Sequence, residues 1–413
     1  MENKKIIFKI GQFPHLSETF ILAQIITAIK CGFDVKLIVD KLLDFESSKQ
    51  QDLLAKYEIK DKIILEEYKI PKNRIIRILK WFVLLFFNLK NVNQIFKYYE
   101  AHSKFSLTWL YQWVFYNQFN DVDIFHVQYG TNSGILSLLK KVGFKPSLVV
   151  SFHGHDAIFP ISGFIPNNGY YDNLFKYGDL VAVNTPYLAE ILIDLGCPEK
   201  ILTIVPVGVD TDFFHPNKIK RDDQISKLIT VGRLNIVKGH IYAFQVIKKL
   251  KLEGINVRLT VVGEGTERQN LESYIRDNNL TDSIVLVGSK SREEIRELLW
   301  DNDIFLLSSV SLHNGKSTET QGLVTTEAMA CGLPVVVFDS GGVKYTLEDG
   351  ISGFICDEYN IDCMATKIKR LVDDNSTLIE MGNQAHYFAN KNYSQKMVDA
   401  KWQTIYNRLI NER

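Results

Sequence analysis

Leu228-Ile229-Thr230-Val231-Gly232-Arg233-Leu234, followed by Lys238-Gly239, is the stretch on which the reading of this chain turns. The apolar run reads as a buried strand and Gly232 as its end, which puts Arg233 at the strand's carboxyl end and Lys238 five positions later. In doubly wound sheets ligands bind beyond the carboxyl ends of the strands, and two cations there suit a pyrophosphate. The spacing alone would serve a solvated loop equally well, so the surroundings must decide.

Downstream, short apolar runs recur at Arg258–Gly263, Ile284–Gly288, Ile304–Ser308 and Pro334–Phe338, with gaps long enough for helices. That alternation predicts a doubly wound domain. Upstream lies a similar series. Lys5–Ile10 reads as a strand, Gly11-Gln12-Phe13-Pro14 as a turn and Glu18–Cys31 as a helix ended by Gly32; strands are predicted at Phe33–Val39, Ile124–Val127, Ser147–Ser151 and Leu180–Val183. Between the two series, Val205 to Pro216 is rich in Pro, Gly and Asp, which suits an interdomain connection and sets a boundary near Pro206. The predicted division is residues 1–206, residues 207–392, and a last helix, 393–413, packing back on the first domain.

At 413 residues two domains are expected on size alone, and 46% hydrophobic with 23% charged residues is ordinary globular usage. Lys plus Arg and Asp plus Glu are both 48, so no overall field argues for nucleic acid. The five cysteines are scattered and lack a C-x-x-C pair, which argues against a disulfide framework and a zinc site and favours a reducing compartment. The first residues lead straight into a strand pattern without the parts of a secretory signal, and a cytoplasmic location is expected. Residues 69–104 stand apart, with eight Lys or Arg against the single acid Glu100, around Trp81-Phe82-Val83-Leu84-Leu85-Phe86-Phe87. This run is too short to span a bilayer but suits peripheral contact with an anionic membrane at the inner face of the plasma membrane; the alternative is a buried helix whose cations solvate its ends.

In Glu319-Thr320-Gln321-Gly322-Leu323-Val324-Thr325-Thr326-Glu327-Ala328-Met329-Ala330-Cys331-Gly332, seven residues separate two glutamates and a glycine stands where a helix should start. Amides near Gly322, Leu323 and Val324 can receive phosphate or sugar oxygens, Glu327 a ribose diol, and Glu319 the hydroxyls of a hexose. Ser151-Phe152-His153-Gly154-His155-Asp156 puts two imidazoles and a carboxylate beyond a strand, with Asp156 as a candidate to orient one ring. Gly263-Glu264-Gly265 lacks the third glycine of a dinucleotide fingerprint, and no NAD is inferred. Asp121-Val122-Asp123 imitates a metal-binding pair but precedes its strand, so it reads as strand entry, without metal. Neither a Gly-x-Ser-x-Gly elbow nor a P-loop is present, which sets hydrolase and kinase readings aside.

These elements resemble the retaining glycosyltransferases of family 4. The likeness rests on Gly232-Arg233 with Lys238-Gly239, on Glu319 and Glu327 with Glu-Ala-Met-Ala, and on Gly341-Gly342; it covers essentially the whole chain. Phe13-Pro14-His15-Leu16-Ser17-Glu18-Thr19-Phe20-Ile21 resembles the opening of the subgroup that builds exopolysaccharide and lipopolysaccharide, colanic-acid-type enzymes included. The resemblance implies an α/β GT-B architecture, two Rossmann-like doubly wound domains facing a central cleft. It implies transfer of a hexose from a nucleotide diphosphate sugar, UDP-sugar favoured over GDP-mannose, to a saccharide or lipid-linked saccharide acceptor, with retention and no cofactor or metal. His153 then faces the donor sugar, with His155 as the substitute, and Glu319 is a sugar ligand rather than a nucleophile. Arg233, Lys238, Gly322, Leu323, Val324, Glu327 and Gly263 form the donor set; Gly11, Gln12, Ser17, Glu18 and Thr19 lie on the acceptor side. A nucleotide-sugar epimerase and a non-catalytic partner subunit are the rival readings. Thr320-Gln321 and Thr325-Thr326 depart from the family pattern.

Overall fold

The computed structural model describes residues 4–15, 19–46, 48, 50–102, 105–162, 169–217, 225–312 and 317–412, the side chains of residues 159–162 excepted. The chain forms two compact units. One comprises Met1–Val183, Ala189–Val205 and Asp399–Arg413, the other Asn184–Leu188 and Pro206–Val398.

The first unit holds β1 (Lys5–Phe13), β2 (Asp34–Leu42), β3 (Ile63–Leu65), β4 (Ile124–Gln128), β5 (Ser147–Ser151), β6 (Leu180–Val183) and β7 (Leu202–Ile204). They pair in parallel in the order β3-β2-β1-β4-β5-β6-β7, so the order reverses between β1 and β4. β1 outlasts the turn expected at Gly11: the chain stays extended to Phe13, whose ring is buried and whose register partner is Leu42. A cis Phe13–Pro14 bond follows. Asp121 and Asp123 hold the entry to the sheet, through the Lys5 ammonium at 2.7 Å and the Lys5 amide at 2.8 Å.

Every residue of β4 is buried, polar ones included. His126 is satisfied by Ser151 Oγ and by Tyr406 of the last helix, each at 2.8 Å, and its ring stacks on Phe8. Burial drives this imidazole down to about 3, so it is neutral. Trp402 and Tyr406 stack on one another over it, which packs the chain's end into the first unit's core.

Lys9, in mid-strand on β1, is also buried; it pairs with Asp40 of β2 and with Glu66 just after β3. Glu66 further accepts from Tyr116 at 2.6 Å and from Tyr68. Burial opposes charge on both acids, but the hydrogen bond from Asp40, then Lys9 and the Tyr116 hydroxyl, hold Glu66 down to about 2, while burial and that same hydrogen bond raise Asp40 to about 6.

The second unit holds β8 (Ser226–Val231), β9 (Val257–Val262), β10 (Ile284–Gly288), β11 (Ile304–Leu307), β12 (Val335–Phe338) and β13 (Gly353–Cys356), all parallel, in the order β10-β9-β8-β11-β12-β13. Its reversal lies between β8 and β11, the strands whose carboxyl ends lead into Gly232 and Ser308. The helix His240–Leu252 packs Ala243, Phe244, Ile247 and Leu250 on one face of this sheet, and Ala328, Met329 and Ala330 cover the other.

One cysteine expectation is corrected. Cys356 and Cys363 form a disulfide, Cα to Cα 5.9 Å, because β13 ends at the first and Asn360 caps a helix, Ile361–Asp373, whose first turn carries the second. A seven-residue separation spanning a strand end and a helix cap leaves no recognisable spacing in sequence. The premise for a reducing compartment falls with it. No helix among the described residues is long and apolar enough to cross a membrane.

The basic segment forms the helix Arg74–Phe87, capped by the Asn73 side chain on the amides of Ile75 and Ile76. It is not a buried helix: none of its residues is buried, and it touches the body through one side only. Trp81 donates to Tyr99 Oη at 2.8 Å and the carbonyl of Arg77 accepts from Tyr111 at 2.7 Å.

The Lys9 cluster should report on the first unit's stability. Lys9→Met leaves buried Glu66 facing the part-exposed Asp40 without a cation, and a loss of about 2 kcal/mol is expected, discounted from a fully buried pair for the exposure of Asp40, read by calorimetry at pH 7. An unchanged melting temperature would mean the cluster is solvated and energetically neutral.

Candidate functional site

At the carboxyl end of β8 the chain turns through Gly232 and exposed Arg233, then forms a short 3₁₀ turn, Ile236–Lys238, capped by the Asn235 side chain on the Lys238 amide at 3.1 Å. The neighbouring strand end lies so close that Gly263 is required. Its φ is 144°, and a Cβ there would stand 1.9 Å from the carbonyl oxygen of Gly232. Gly263 therefore serves the approach of β9 to β8, which positions Arg233.

The cap places Lys238 against Glu319, and the two form an ion pair with 16% and 18% of their side chains exposed. Burial works against the Glu319 charge, but Lys238, the Gly322 amide and Arg233 together hold its carboxyl below the usual glutamate range. Glu319 is thus an anion tied to the residues expected to share a ligand with it. The Glu319 carbonyl also accepts from the Gly342 amide at 2.9 Å, which anchors the Gly341-Gly342 turn beside it.

Gly322, with φ 82°, is the N-cap of the helix Leu323–Ala330, and no side chain caps that end. The positive end of the helix dipole and the leading amides of Leu323 and Val324 are left to whatever binds there. On the same helix Glu327 is partly buried, and burial pushes its carboxyl up to about 7, only partly offset by Arg292. Two glutamates eight positions apart therefore differ in charge near neutrality because one has a cation at contact and the other a distant one.

Several contributors were not read from the sequence. Gln321 is buried and clamps Val207 of the connecting segment, accepting from its amide at 2.8 Å and donating to its carbonyl at 3.0 Å. Arg292, the cation nearest Glu327 in effect, stacks 4.2 Å over Phe213 and pairs with Asp210 at 3.2 Å. His240, directly after Gly239, is buried and held neutral, pushed down to about 4. Only the departure from the family pattern at Thr320-Gln321 offered a signal.

In the first unit, His153 follows β5. Its Nε2 lies 2.9 Å from Gln128 Oε1, and Gln128 in turn donates through Nε2 to Gln24 at 2.6 Å. With the amides so oriented, the Gln128 oxygen accepts from His153 Nε2. The ring lies against Phe20 and Tyr129, and burial takes it down to about 3, hence neutral. The suggestion that Asp156 orients an imidazole is corrected: Asp156 accepts from the backbone amides of Gly130 at 2.7 Å and of His153 and Gly154 at 3.0 Å. It shapes the loop that carries the histidine. His155 is exposed on the first turn of its helix. Gly11 and Gln12 lie on the extended end of β1 and Thr19 begins the helix Thr19–Lys30; Ser17 and Glu18 lie outside the described residues.

Comparison with known proteins gives consistent likenesses. The family described as glycosyl transferases group 1 matches residues 211–392, and glycosyltransferase family 4 matches residues 85–213. An amylovoran biosynthesis glycosyltransferase of Erwinia amylovora is 28% identical over 413 residues, covering 98% of this chain and all of that protein. A protein of Escherichia coli K12 assigned to colanic acid biosynthesis as a glycosyltransferase is 26% identical over 415 residues, again 98% and 100%. Among solved structures, a glycosyltransferase of Rickettsia africae superposes with a TM-score of 0.72 at 17% identity, covering all of both chains. An Anabaena protein in complex with UDP superposes at 0.71 and 16% identity, over 98% of this chain and all of that one.

Glu327 gives a stability test. A carboxyl raised in the folded state favours folding at low pH and weakens it as pH rises from the unfolded value, about 4.3, to about 7. Glu327→Gln should therefore melt higher than the natural protein at pH 8, by about 1–2 kcal/mol after discounting for partial exposure, with the gap closing towards pH 5. A variant less stable than the parent at pH 8 would show that the carboxylate is paired rather than strained.

Proposed function

The chain belongs to the glycosyltransferases, carrying group 1 and family 4 domains in a GT-B fold, and from that premise we propose that it moves a hexose from a nucleoside diphosphate sugar to a saccharide acceptor in surface polysaccharide synthesis. The observation that carries the reading is the convergence in one unit of Arg233, Lys238, Glu319, the uncapped Leu323–Ala330 helix end and Glu327, beside the reversal in strand order between β8 and β11. A diphosphate fits the two cations and the helix end, a ribose diol fits Glu327, and a hexose hydroxyl fits Glu319.

In the proposed reaction the bond between the anomeric carbon and the diphosphate oxygen breaks while an acceptor hydroxyl attacks the same face, so configuration is retained. The acceptor's proton passes to the departing phosphate oxygen. Arg233, Lys238 and the amides of Leu323 and Val324 stabilise the charge that develops on the diphosphate, the part that a divalent ion would otherwise take. Since Lys238 is already paired with Glu319, that cation is held in place before the donor arrives and need not be ordered by it. His153, neutral, serves as a hydrogen-bonding group for a sugar hydroxyl rather than as a charge. UDP-sugars are the favoured donors, with GDP-mannose second, and the acceptor is a lipid-linked saccharide.

Thermal stabilisation across UDP-, GDP-, ADP- and dTDP-sugars, with chelator present, tests the donor site. One nucleotide class should raise the melting temperature by several degrees, as expected for ligand well above its Kd, and Arg233→Ala and Glu327→Ala should each abolish the rise. Affinity for that nucleotide should increase from pH 6 to pH 8 as Glu327 loses its proton, and stay flat in Glu327→Gln. No shift with any nucleotide would favour a non-catalytic partner subunit, and turnover of the sugar nucleotide to an epimer without acceptor would favour the epimerase reading.

A further inference from the structure

The helix Arg74–Phe87 carries an apolar face that the fold leaves uncovered. Ile75, Leu79, Phe82, Val83, Phe86 and Phe87 follow helical spacing and are between 50% and 77% exposed. They lie opposite the side through which Trp81 and the Arg77 carbonyl hold the helix to the body. Scattered exposed apolar residues are ordinary, but a contiguous face of this kind is an interaction site or a liability. At its carboxyl end Phe82, Val83, Leu85, Phe86, Phe87 and Leu89 form a shallow, open apolar depression without a single polar side chain.

Charge decides what covers the face. From Lys69 to Lys97 every charged residue is positive, and no acid intervenes between Glu67 and Glu100. Lys72 and Arg74 flank the helix on one side and Lys90 on the other, all exposed. A second copy of this chain would bring the same cations against themselves across a self-complementary contact, which opposes that pairing. An anionic lipid surface satisfies both parts at once, with phosphates for the cations and acyl chains for the phenylalanines. At roughly 1.5 Å per residue the helix is about 21 Å long, short of the ~30 Å hydrocarbon core, so it lies in the interface rather than across it.

We propose that the helix Arg74–Phe87 is a membrane-docking element that lies in the surface of an anionic bilayer, its phenylalanines among the acyl chains and Lys72, Arg74 and Lys90 on the headgroup phosphates. The inference rests on this helix alone and does not depend on the donor site. Together with the proposed reaction it brings the first unit to the surface where a lipid-linked acceptor resides.

Co-sedimentation of the full chain with phosphatidylcholine vesicles, with and without phosphatidylglycerol, tests it in the absence of nucleotide. The protein should bind anionic vesicles and lose that binding in high salt. Phe82→Gln/Phe86→Gln/Phe87→Gln should abolish binding while keeping the melting temperature, since these side chains are exposed. Lys72→Gln/Arg74→Gln/Lys90→Gln should weaken binding roughly a hundredfold, at about fivefold per cation, and leave nucleotide-induced stabilisation intact. Equal binding to neutral vesicles, unchanged binding by the phenylalanine variant, or a dimer in sedimentation equilibrium that this variant dissociates would each overturn the proposal. The dimer outcome would assign the face to a second copy.

Discussion

A parallel strand covered on both faces can offer a polar side chain to a ligand in only one place, beyond its end, and this constraint shapes both units. The second sheet reverses its order between β8 and β11, so the segments leaving those two strands diverge and the surface between them stays open to groups from several loops. Arg233 and Lys238 leave β8, and the stretch holding Glu319 and Gly322 follows β11. Their meeting is thus a consequence of topology, secured by the Lys238–Glu319 pair. The first sheet obeys the same rule with different chemistry. Polar residues within its strands, His126 and Gln128, are partnered and neutral, and His153, two residues past β5, is held by Gln128.

Two glutamates on one short segment show how environment divides like groups. Glu319, in contact with a cation and an amide, is held ionised; Glu327, one turn into a helix and facing Arg292 only at a distance, keeps its proton up to about pH 7. The first is a fixed charge whose pairing with Lys238 stands before any ligand enters. The second is an acceptor that a hydroxyl-bearing ligand would complete, and its desolvation is a standing cost in the ligand-free protein.

Much of this architecture was legible because it is periodic. Apolar runs of four to six residues with helix-length gaps are what a doubly wound sheet requires, and Gly232-Arg233, Lys238-Gly239, Glu319 and Glu327 stood at the edges where such a sheet binds ligands. What escaped was set by contacts remote in sequence. Gln321 looked like an anomaly and proves to clamp Val207, over a hundred positions away. The extension of β1 through Gly11 and Gln12 is dictated by pairing with Leu42, which outweighs the turn propensity of Gly and Pro. Asp156 seemed an imidazole partner from proximity, yet three backbone amides of a tight loop compete for the same carboxylate and win. The Cys356–Cys363 bond depends on where a strand ends and a helix begins, a boundary no cysteine spacing reveals.

Where a natural sequence breaks the rules of stable folding, the breach needs a compensating use. The helix Arg74–Phe87 breaks the rule on exposed apolar surface more heavily than any other helix described here. It could have been polar outside at no cost to the packing of Trp81 against Tyr99, because the residues that anchor it and the residues it exposes occupy different sides. Nor is the face a remnant of a buried one, since the cations alongside it would be desolvated by any apolar cover from within the protein. A surface both greasy and positive is stabilised only by a partner both greasy and negative. That pairing of properties, rather than hydrophobicity alone, is what separates a lipid interface from a protein core at this helix.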